Sequence, residues 1–455
     1  MTPTRKELLD LIVNTDQAFN RTDAELRPLR LAAAQELFAE RIEQIPLLKH
    51  RAAEAGITRI EKFADLVPLL FAHTVYKSYP ASFVEKGQWD RLLKWLDSLS
   101  VPDLTGVDMN GVSNVDEFLD RLWAADHRVL ATSGSSGKCS FLNHTAGDQE
   151  LKRRHFRHTM AWPGEVLSNN YIVFWTGQME GPNSACESAQ FALKDWAMDG
   201  RMYALAKDKL KISEVSNMAA MRKRMAEGSA TPDEIAAFEA EAADKADKGR
   251  QETIEFADLV LDHRHQPIYL MGFWAPVLAI IERARERGIP DGDFHPDSLI
   301  GVGGGVKGIP LPADFKERVD GFFGAVKRIR TYAMTELAQA LPNCEHGNYH
   351  VPPGLIMLLL DETGETLLSP DGDSQGSDFH GAIEGRFGFL DLAYEGRWGG
   401  LITGDKVTAD FSPTCGCGRP GPVILDTIAR YVQPGEDDKI SCAGTIDAYI
   451  RGRVE

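Results

Sequence analysis

Apolar residues recur at helical spacing over residues 5–100, interrupted by short proline-containing loops, and this pattern predicts an N-terminal layer of helices. Residues 171–175 form a short apolar run with aromatic and β-branched side chains, which is typical of a buried strand. Residues 214–250 are rich in alanine and charged side chains and predict a surface helical hairpin, with a break at 228–232 that supplies an N-cap. The simplest interpretation of this hairpin is a solvated insertion without chemistry.

Residues 268–340 show a different pattern, in which helical and strand-like segments alternate. The pattern predicts a helix over 273–287, a strand over 298–302, a helix over 313–323 and a further strand that ends at Tyr332. Such alternation is typical of α/β layering. We therefore expect an α/β fold behind the N-terminal helices.

Length and composition limit the classes of protein to consider. The chain has 455 residues, of which 43% are hydrophobic and 26% charged, as in ordinary globular proteins. It is too long for one core of average size, so we expect a helical region over 1–125, a core over 126–425 and a short remnant over 426–455.

The net charge and the terminus limit the partners. A net charge of −17 argues against nucleic acid or an anionic membrane as the main partner, because both require a basic face. The N-terminus lacks an apolar signal core, and no run of eighteen apolar residues occurs. We expect a cytoplasmic protein with no membrane partner, and the sequence leaves a homodimer open.

A hydroxyl- and glycine-rich loop follows a short apolar stretch and ends in a lysine. It contains Thr132, Ser133, Gly134, Ser135, Ser136, Gly137 and Lys138. The glycines let backbone N–H groups turn inward, the hydroxyls add donors and the lysine adds positive charge, so the loop suits a polyphosphate. A Walker A loop requires glycine at position 132, which excludes an ordinary P-loop. A flexible linker has a similar composition, so the loop alone does not decide the function.

Two later segments carry chemistry that complements this loop. The triple glycine at 303–305 follows a predicted strand and lets a flat ring or a sugar approach the backbone. Tyr332, Thr335 and Glu336 place an aromatic face, a hydroxyl and a carboxylate at the end of the next predicted strand. Ligands of α/β sheets usually bind at strand ends. Adenine, phosphate and magnesium each find a partner type in these two segments.

Four segments, in this order, resemble the successive motifs of the adenylate-forming superfamily, which contains acyl-CoA ligases, adenylation domains and luciferase. They are residues 132–138, 303–305, 332–336 and 403–405. Each motif is short, but four in register over roughly residues 125–447 make coincidence improbable. The stretches 344–350 and 415–419 are similar in particular to the phenylacetate-CoA ligase branch.

The resemblance implies an α/β large N-terminal domain, with β-sheets flanked by helices in subdomains, and a role for each motif. The loop would close over the β- and γ-phosphates of ATP, Tyr332 would stack on adenine, and Gly303, Gly304 and Gly305 would line the base pocket. Lys138, Thr335 and Glu336 would form the catalytic set, with Thr335 at the α-phosphate and Glu336 on Mg²⁺. Asp405 would accept hydrogen bonds from the ribose, and Arg430 would be a hinge-side contact to ribose or phosphate.

The implied reaction joins a small carboxylic acid, with a modest preference for an aryl acid, to ATP. The products are an acyl-adenylate and pyrophosphate. The acyl acceptor stays open between coenzyme A, a carrier protein, an amine, a partner reductase and Cys442 of this chain. A protein that binds ATP without fast turnover and an acyl-amino acid amide synthetase are the alternatives.

The chain departs from the superfamily at its C-terminus. A small lysine-bearing domain of about a hundred residues usually follows the hinge, an ordinary minimal domain size, but only eleven residues follow Gly444 here. The chain therefore resembles the acyl-protein synthetase of bacterial luminescence and a phenazine-modifying protein, and we expect the C-terminal small domain to be absent. In the first of these a C-terminal cysteine accepts the acyl group, and Cys442 has a comparable place, although a small buried apolar residue is the simpler interpretation.

The cysteines do not form the pattern of a disulfide framework, since six occur in 455 residues. Cys344, His350, Cys415 and Cys417 instead provide the four ligands of a closed structural zinc site between two loops. This choice leaves His346 exposed. Unconnected cysteines and surface histidines are an equally good interpretation of the same residues.

Overall fold

The computed structural model describes residues 2–13, 15–132, 138–160, 162, 170–304, 311–370 and 381–431. The chain forms two compact units, one from Met1–Gly164 with Tyr332–Glu455 and one from Glu165–Thr331. Both divisions fall between residues 126 and 425, and the segments expected from the sequence remain a prediction.

The first part of the chain is mostly helical, as predicted. Its helices are α1 (Pro3–Leu11), α2 (Thr15–Ala18), α3 (Asp23–Arg41), α4 (Pro46–Ala55), α5 (Ser82–Glu85), α6 (Trp89–Asp97) and α7 (Val115–Ala124), with 3₁₀ helices at Phe63–Leu69 and Val75–Lys77. Helix α3 begins at a capping box in which Thr22 and Glu25 bond reciprocally to each other's backbone N–H groups. A short strand, β1 (Phe71–Ala72), was not predicted and pairs in parallel with Leu401 and Ile402.

Two short paired strands flank the serine- and glycine-rich segment in the sequence. Strand β2 (Leu130–Ala131) precedes it, and the antiparallel strand β3 (Phe141–Leu142) follows it. Helix α8 (Ala146–Met160) begins only after β3. In a Walker A loop the lysine opens a helix directly, so this arrangement agrees with the exclusion of a P-loop.

The second unit is a parallel sheet flanked by helices. Its elements are β4 (Tyr171–Gln178), α9 (Ser184–Asp195), β5 (Ala197–Ala206), α10 (Ile212–Ala226), α11 (Pro232–Asp262), β6 (Ile268–Phe273), α12 (Trp274–Glu286), β7 (Leu299–Gly303), α13 (Phe315–Phe323) and β8 (Lys327–Arg328). The strands lie in the order β5-β4-β6-β7-β8, and every neighbouring pair is parallel. Strands buried on both faces explain the continuous apolar run of β4.

Helices α10 and α11 form the predicted charged segment, and Thr231 caps the second helix through a capping box with Glu234. Helix α11 continues beyond the predicted end to Asp262. Its last turns carry Phe256, Val260 and Leu261, which are buried in the core of this unit. Packing against the core therefore extends a helix whose charged first half is exposed.

The C-terminal part of the chain consists of largely antiparallel strands that the sequence did not predict. Its strands are β9 (Thr331–Tyr332), β10 (Leu341–Pro342), β11 (Tyr349–His350), β12 (Leu355–Leu360), β13 (Ala382–Asp391), β14 (Gly400–Asp410), β15 (Val423–Ile424) and β16 (Ala429–Arg430). Five of them lie in the order β11-β15-β14-β13-β12, and β1 and β16 also pair with β14. None of the helices in the described ranges is both long and apolar enough to cross a lipid bilayer.

Tyr332 lies outside the parallel sheet, contrary to the prediction. The parallel sheet ends with β8 at Arg328, and Ile329 makes one more backbone hydrogen bond, to Ile300. Tyr332 then belongs to β9, which pairs with β10 in a separate two-stranded sheet. Residues 327–332 contain neither glycine nor proline, so no residue in the sequence marks the point at which the chain leaves the sheet.

Candidate functional site

Lys138 lies at the end of the serine- and glycine-rich loop. Its ammonium group is 4.5 Å from the ring centroid of Tyr79, within the range of a cation–π contact. The Tyr79 hydroxyl donates to the backbone carbonyl of Cys139, which fixes this ring beside the loop. Thr132 closes the base of the loop, because its side chain accepts a hydrogen bond from the Ser140 N–H at 3.0 Å. The predicted residues Ser133 to Gly137 lie outside the described residues.

Asp405 is the centre of a hydrogen-bonded group in the first unit. The Tyr332 hydroxyl donates to Asp405 Oδ2 at 2.6 Å, and Arg430 Nε lies 3.2 Å from Asp405 Oδ1. Strand pairing places Arg430 directly opposite Asp405, across β16 and β14. The Thr403 hydroxyl also accepts the Asp405 N–H. Two of the predicted motifs, which are more than sixty residues apart in sequence, therefore share one carboxylate.

Tyr332 is held as a hydrogen-bond donor. Burial, and then the negative charge of Asp405, raise the pKa of the Tyr332 hydroxyl well above its ordinary value of 10.0. A phenol with a raised pKa stays protonated at neutral pH, so it continues to donate to the carboxylate. Asp405 is buried, whereas Arg430 is exposed.

Thr335 and Glu336 follow β9 and lie in the same unit as Asp405. Glu336 is half-buried, and Arg397 Nη2 donates to its backbone carbonyl at 2.6 Å. Burial raises the pKa of the Glu336 carboxyl above its ordinary value of 4.5, while the positive charges of Arg397 and Arg430 oppose this rise. A half-buried carboxylate is a suitable oxygen ligand for a hard cation.

A loop after β13 holds the segment that carries Thr335 and Glu336. Asp391 is fully buried and accepts hydrogen bonds from the backbone N–H groups of Ala338 and Gln339, at 2.8 and 3.2 Å. Arg397 is buried over the ring of Tyr394, with 3.6 Å between the guanidinium carbon and the ring centroid. Neither Asp391 nor Arg397 was predicted from the sequence. A charged residue within the apolar and aromatic stretch 387–398 was the feature of the sequence that could have identified them.

Gly303 ends β7 in the second unit, Gly304 follows it, and Gly305 lies outside the described residues. Gly304 has a φ of +90°, and a Cβ atom at this position would be 2.8 Å from the Phe273 ring. Only glycine fits this backbone without strain. Nothing lies within 4 Å of a Cβ atom added at Gly303.

Cys344, His350, Cys415 and Cys417 converge in the first unit, as the sequence analysis predicted for a metal site. Their ligand atoms all lie within 4.8 Å of one another. The distance between Cys344 Sγ and Cys415 Sγ is 3.9 Å, and Cys417 Sγ is 3.4 Å from His350 Nε2. His346 is exposed, as predicted.

Burial shifts the pKa of a thiol and the pKa of an imidazole in opposite directions. It raises the pKa of the Cys344 thiol to about 11 and, with the positive charge of Arg419, lowers the pKa of His350 to about 4. Burial also acts on Cys415, but hydrogen bonds from the Asn348 side chain and the Cys417 backbone outweigh it and lower the pKa of that thiol. His350 is therefore a neutral imidazole near neutral pH, the form that binds metals.

The four predicted nucleotide motifs differ in how closely the structure brings their residues together. Tyr332, Asp405 and Arg430 are bonded together, with Glu336 in the same unit, and Lys138 contacts Tyr79. The glycines at 303 and 304 belong to the other unit. Cys442 and the rest of residues 432–455 lie outside the described residues.

Comparison with solved structures gives the fold. The chain is similar to 2-hydroxyisobutyryl-CoA ligase in complex with 2-HIB-AMP and CoA, in an open conformation (TM-score 0.52, 12% identity, 92% of this chain and 79% of that chain). It is also similar to the same ligase in the thioesterification state (TM-score 0.55, 13% identity, 90% of this chain and 69% of that chain).

The chain therefore shares the fold of these ligase structures over most of its length. The predicted fold class, an α/β architecture with sheets flanked by helices, is thereby confirmed. No family model and no curated protein matches the chain.

Proposed function

We propose that this protein uses ATP and Mg²⁺ to activate a carboxylic acid as an acyl-adenylate, with release of pyrophosphate. The observation that carries the proposal is the bonded group of Tyr332, Asp405 and Arg430. Three segments with predicted nucleotide contacts come together there. The fold, and the acyl-AMP ligand named for both similar structures, support the same reaction.

The Asp405 carboxylate suits a ribose. A carboxylate has about four acceptor sites on its two oxygens, and Tyr332 and Arg430 use two of them. The remaining lone pairs can accept the two ribose hydroxyls. The same contacts would fix the position of the Tyr332 ring, the proposed stacking partner of adenine.

In the proposed reaction, a carboxylate oxygen attacks the α-phosphorus of ATP in line. The new oxygen–phosphorus bond forms as the bond from the α-phosphorus to the bridging oxygen breaks, and pyrophosphate leaves with the electron pair. Both reactants are anionic, so the protein must supply positive charge and fixed donors. Lys138 and Thr335 are the proposed donors, and Glu336 is the proposed Mg²⁺ ligand.

Mg²⁺ suits this position because it prefers hard oxygen ligands from one or two carboxylates together with phosphate. The Glu336 carboxylate is half-buried near the positive charges of Arg397 and Arg430, which oppose its protonation. Bound Mg²⁺ would supply charge that reduces the repulsion between the two anions. The predicted contact of Gly303, Gly304 and Gly305 with the base remains part of the proposal.

A thiol is the proposed acyl acceptor, and coenzyme A is its first candidate, because CoA accompanies the adenylate in both similar structures. The acid substrate is proposed as a class, small carboxylic acids with aryl acids included. The predicted carrier protein, partner reductase and Cys442 stay as further acceptors to be compared in one assay.

Exchange of labelled pyrophosphate into ATP, measured across aryl and aliphatic acids, tests the proposal. We expect exchange that depends on both the acid and Mg²⁺. Asp405→Asn should reduce it about tenfold to a hundredfold, the loss of one hydrogen bond to a charged group. The matched control is Asp410→Asn on the same strand, because Asp410 accepts only from Ser412 among its recorded hydrogen bonds.

Two variants examine the proposed chemistry directly. Glu336→Gln and Lys138→Ala should lower exchange while nucleotide binding persists. Unchanged exchange in both variants would place the chemistry elsewhere. Nucleotide binding without exchange for any acid would instead indicate a binding protein, and AMP formation that requires an amine would indicate an amide synthetase.

A further inference from the structure

We propose that Cys344, His350, Cys415 and Cys417 bind one zinc ion in a closed, structural site. The side chains come from two turns that are about seventy residues apart in the sequence, yet their ligand atoms lie within 4.8 Å of one another. Three thiols and one imidazole are a common ligand set of structural zinc. The site makes no use of the proposed nucleotide chemistry and stands apart from it.

The distances match a tetrahedron around zinc. With Zn–S bonds of about 2.3 Å and a Zn–N bond of about 2.0 Å, two sulfurs lie about 3.8 Å apart and a sulfur and a nitrogen about 3.5 Å. The corresponding distances are 3.9 Å between Cys344 Sγ and Cys415 Sγ, and 3.4 Å between Cys417 Sγ and His350 Nε2. Two of the six distances between ligand atoms are therefore those of a zinc tetrahedron, and all six are 4.8 Å or less.

The two turns that carry the sulfurs have the same backbone hydrogen bonds. In the first, the Cys344 N–H donates to Asn348 O and the Gly347 N–H to Cys344 O. In the second, the Cys415 N–H donates to Arg419 O and the Gly418 N–H to Cys415 O. Each turn contains a glycine with positive φ, +79° at Gly347 and +84° at Gly418.

Both turns also direct backbone N–H groups at sulfur. The N–H groups of His346 and Asn348 bond to the Cys344 sulfur, and the Cys417 N–H bonds to the Cys415 sulfur. Such donors stabilise thiolates, the form in which cysteine binds metals. Two matched turns that each present a thiolate are more specific than four residues that merely lie close together.

The groups around the ligands complete the site. The Asn348 side-chain amide donates to Cys415 Sγ at 3.3 Å. His350 also bonds to the backbone carbonyl of Pro420, and its Nε2 atom lies near Cys417. Metal-bound histidines usually donate their other ring N–H in this way. Three thiolates and Zn²⁺ leave one negative charge, and the positive charge of Arg419 acts on the same site.

Zinc fits this site better than other common cations. Soft thiolates disfavour Mg²⁺ and Ca²⁺, and a closed tetrahedral set of sulfur and nitrogen is typical of zinc. Four protein ligands leave no open position for a substrate, so the ion stabilises structure. It joins the turn before β11 to the turn before β15, and these two strands pair.

An apolar shell screens the site from water. Phe19 and Trp162 pack against His350, with ring centroids 6.3 and 5.1 Å away. Ala18 and Val423 belong to the same buried cluster as Cys344 and Cys415. The ion would therefore fix a small core formed by the N-terminal helices and the C-terminal turns of the first unit.

Metal analysis of the full-length protein, purified without added metal or chelator, tests the site. We expect close to one zinc per chain in the wild type and a loss of most of it in Cys417→Ser and His350→Ala. His346→Ala is the matched control, because His346 lies in the same turn but is exposed and outside the cluster. Cys186→Ser is the control for a buried cysteine elsewhere.

Two measurements on the wild type keep the test valid if a ligand variant fails to fold. Replacement of zinc by Co²⁺ should produce the visible absorption of tetrahedral cobalt and a thiolate-to-cobalt charge-transfer band. Removal of zinc by a chelator should make Cys344, Cys415 and Cys417 reactive toward a thiol reagent. Full zinc retention in both ligand variants, or a wild type that neither carries zinc nor gives the cobalt spectrum on reconstitution, would overturn the proposal.

Discussion

Arg397 is a buried cation whose recorded hydrogen bonds, within the described residues, go to neutral oxygens. They lead to the Tyr76 hydroxyl at 3.1 Å, to Trp398 O at 3.3 Å and to Glu336 O at 2.6 Å. Burying a charge is costly, and the negative charge of Glu336 is among the groups that offset this cost for Arg397. The shortest of these bonds fixes the backbone of the proposed Mg²⁺ ligand, and Arg397 is therefore a positioning residue.

Arg397→Lys is expected to raise the Mg²⁺ concentration needed for half-maximal pyrophosphate exchange by about tenfold, the equivalent of one lost hydrogen bond. Lysine has one nitrogen and cannot reproduce a fork that reaches both Tyr76 and Glu336. Hydrogen exchange of the 336–339 amides should also accelerate, which tests the role even without turnover.

The control for this variant is Arg5→Lys. Arg5 is equally buried and donates to Leu392 O and Tyr394 O in the same loop, but no recorded bond joins it to Glu336. It should lower the free energy of unfolding without changing the Mg²⁺ requirement. An equal change of the Mg²⁺ requirement in both variants would mean that the loop as a whole, and not the bond to Glu336, sets metal binding.

Tyr332→Phe removes the donor to Asp405 and keeps the aromatic ring. The free energy of unfolding should fall by about 1–3 kcal/mol, because a buried acceptor loses its partner. AMP affinity should weaken as well, since Asp405 loses its fixed orientation. Tyr349→Phe is the control, because it removes a 3.0 Å bond to Asp426 and leaves Asp405 unchanged. Equal AMP affinities in the two variants would contradict the assigned role of Tyr332.

Helices and strands were predicted correctly where a few neighbouring residues in the sequence specify them. Helix α11 has a capping box and strand β4 a short β-branched run, so both were predictable from a few neighbouring residues. The place of Tyr332 depends instead on where the chain leaves the parallel sheet, which no neighbouring residue specifies. Strand β12 is buried almost throughout and lacks the alternation that marks a strand with one exposed face.

In the candidate site, too, some residues were predictable from their type and others depend on tertiary contacts. The cysteine turns and the bond between Tyr332 and Asp405 join residues whose chemistry was visible in the sequence. Asp391 and Arg397 act on Ala338 and Glu336 through backbone groups, and contacts of that kind depend on tertiary structure alone. Residue type identifies groups that touch a ligand better than groups that hold other residues in place.

The end of strand β7 gives an element-scale prediction. Gly304→Ala should lower the free energy of unfolding by about 1–2 kcal/mol, the cost of a left-handed backbone in a residue with a Cβ atom. The clash with the Phe273 ring would add to this cost. Gly303→Ala is the matched control, because the space around that position is open. Urea unfolding measures both, and equal losses would contradict the strain assigned to Gly304.

At the scale of the whole molecule, the two units rely on different kinds of core. The second unit buries a parallel sheet in an almost wholly apolar cluster. The first unit buries many charged and polar side chains, among them Arg5, His144, Asp148, His155, Asp391 and Arg397. The stability of the first unit should therefore respond more strongly to pH, because most of the buried titratable side chains among the described residues belong to it.

His144 and His155 should make the folded protein less stable as the pH falls. Burial lowers the pKa of both imidazoles below the ordinary value of 6.5, and in His144 nearby Lys152 and Arg397 lower it further. Below pH 6.5 both imidazoles bind protons in the unfolded chain but remain neutral in the folded protein. The contribution of these histidines to the free energy of unfolding is thus complete above that pH. It falls as the pH decreases, by at most about 1.4 kcal/mol per pH unit for each histidine.

His144→Gln should reduce this slope, as measured by urea unfolding between about pH 7.5 and about pH 5.5. Tyr394→Phe is the control, since its ring packs 5.2 Å from His144 and burial raises the pKa of its hydroxyl well above this range. It should lower stability equally at both pH values because no titrating group is lost. If the slope of the His144 variant equals that of the wild type, the protonation of other groups governs acid unfolding, and the neutral buried imidazole has no part in it.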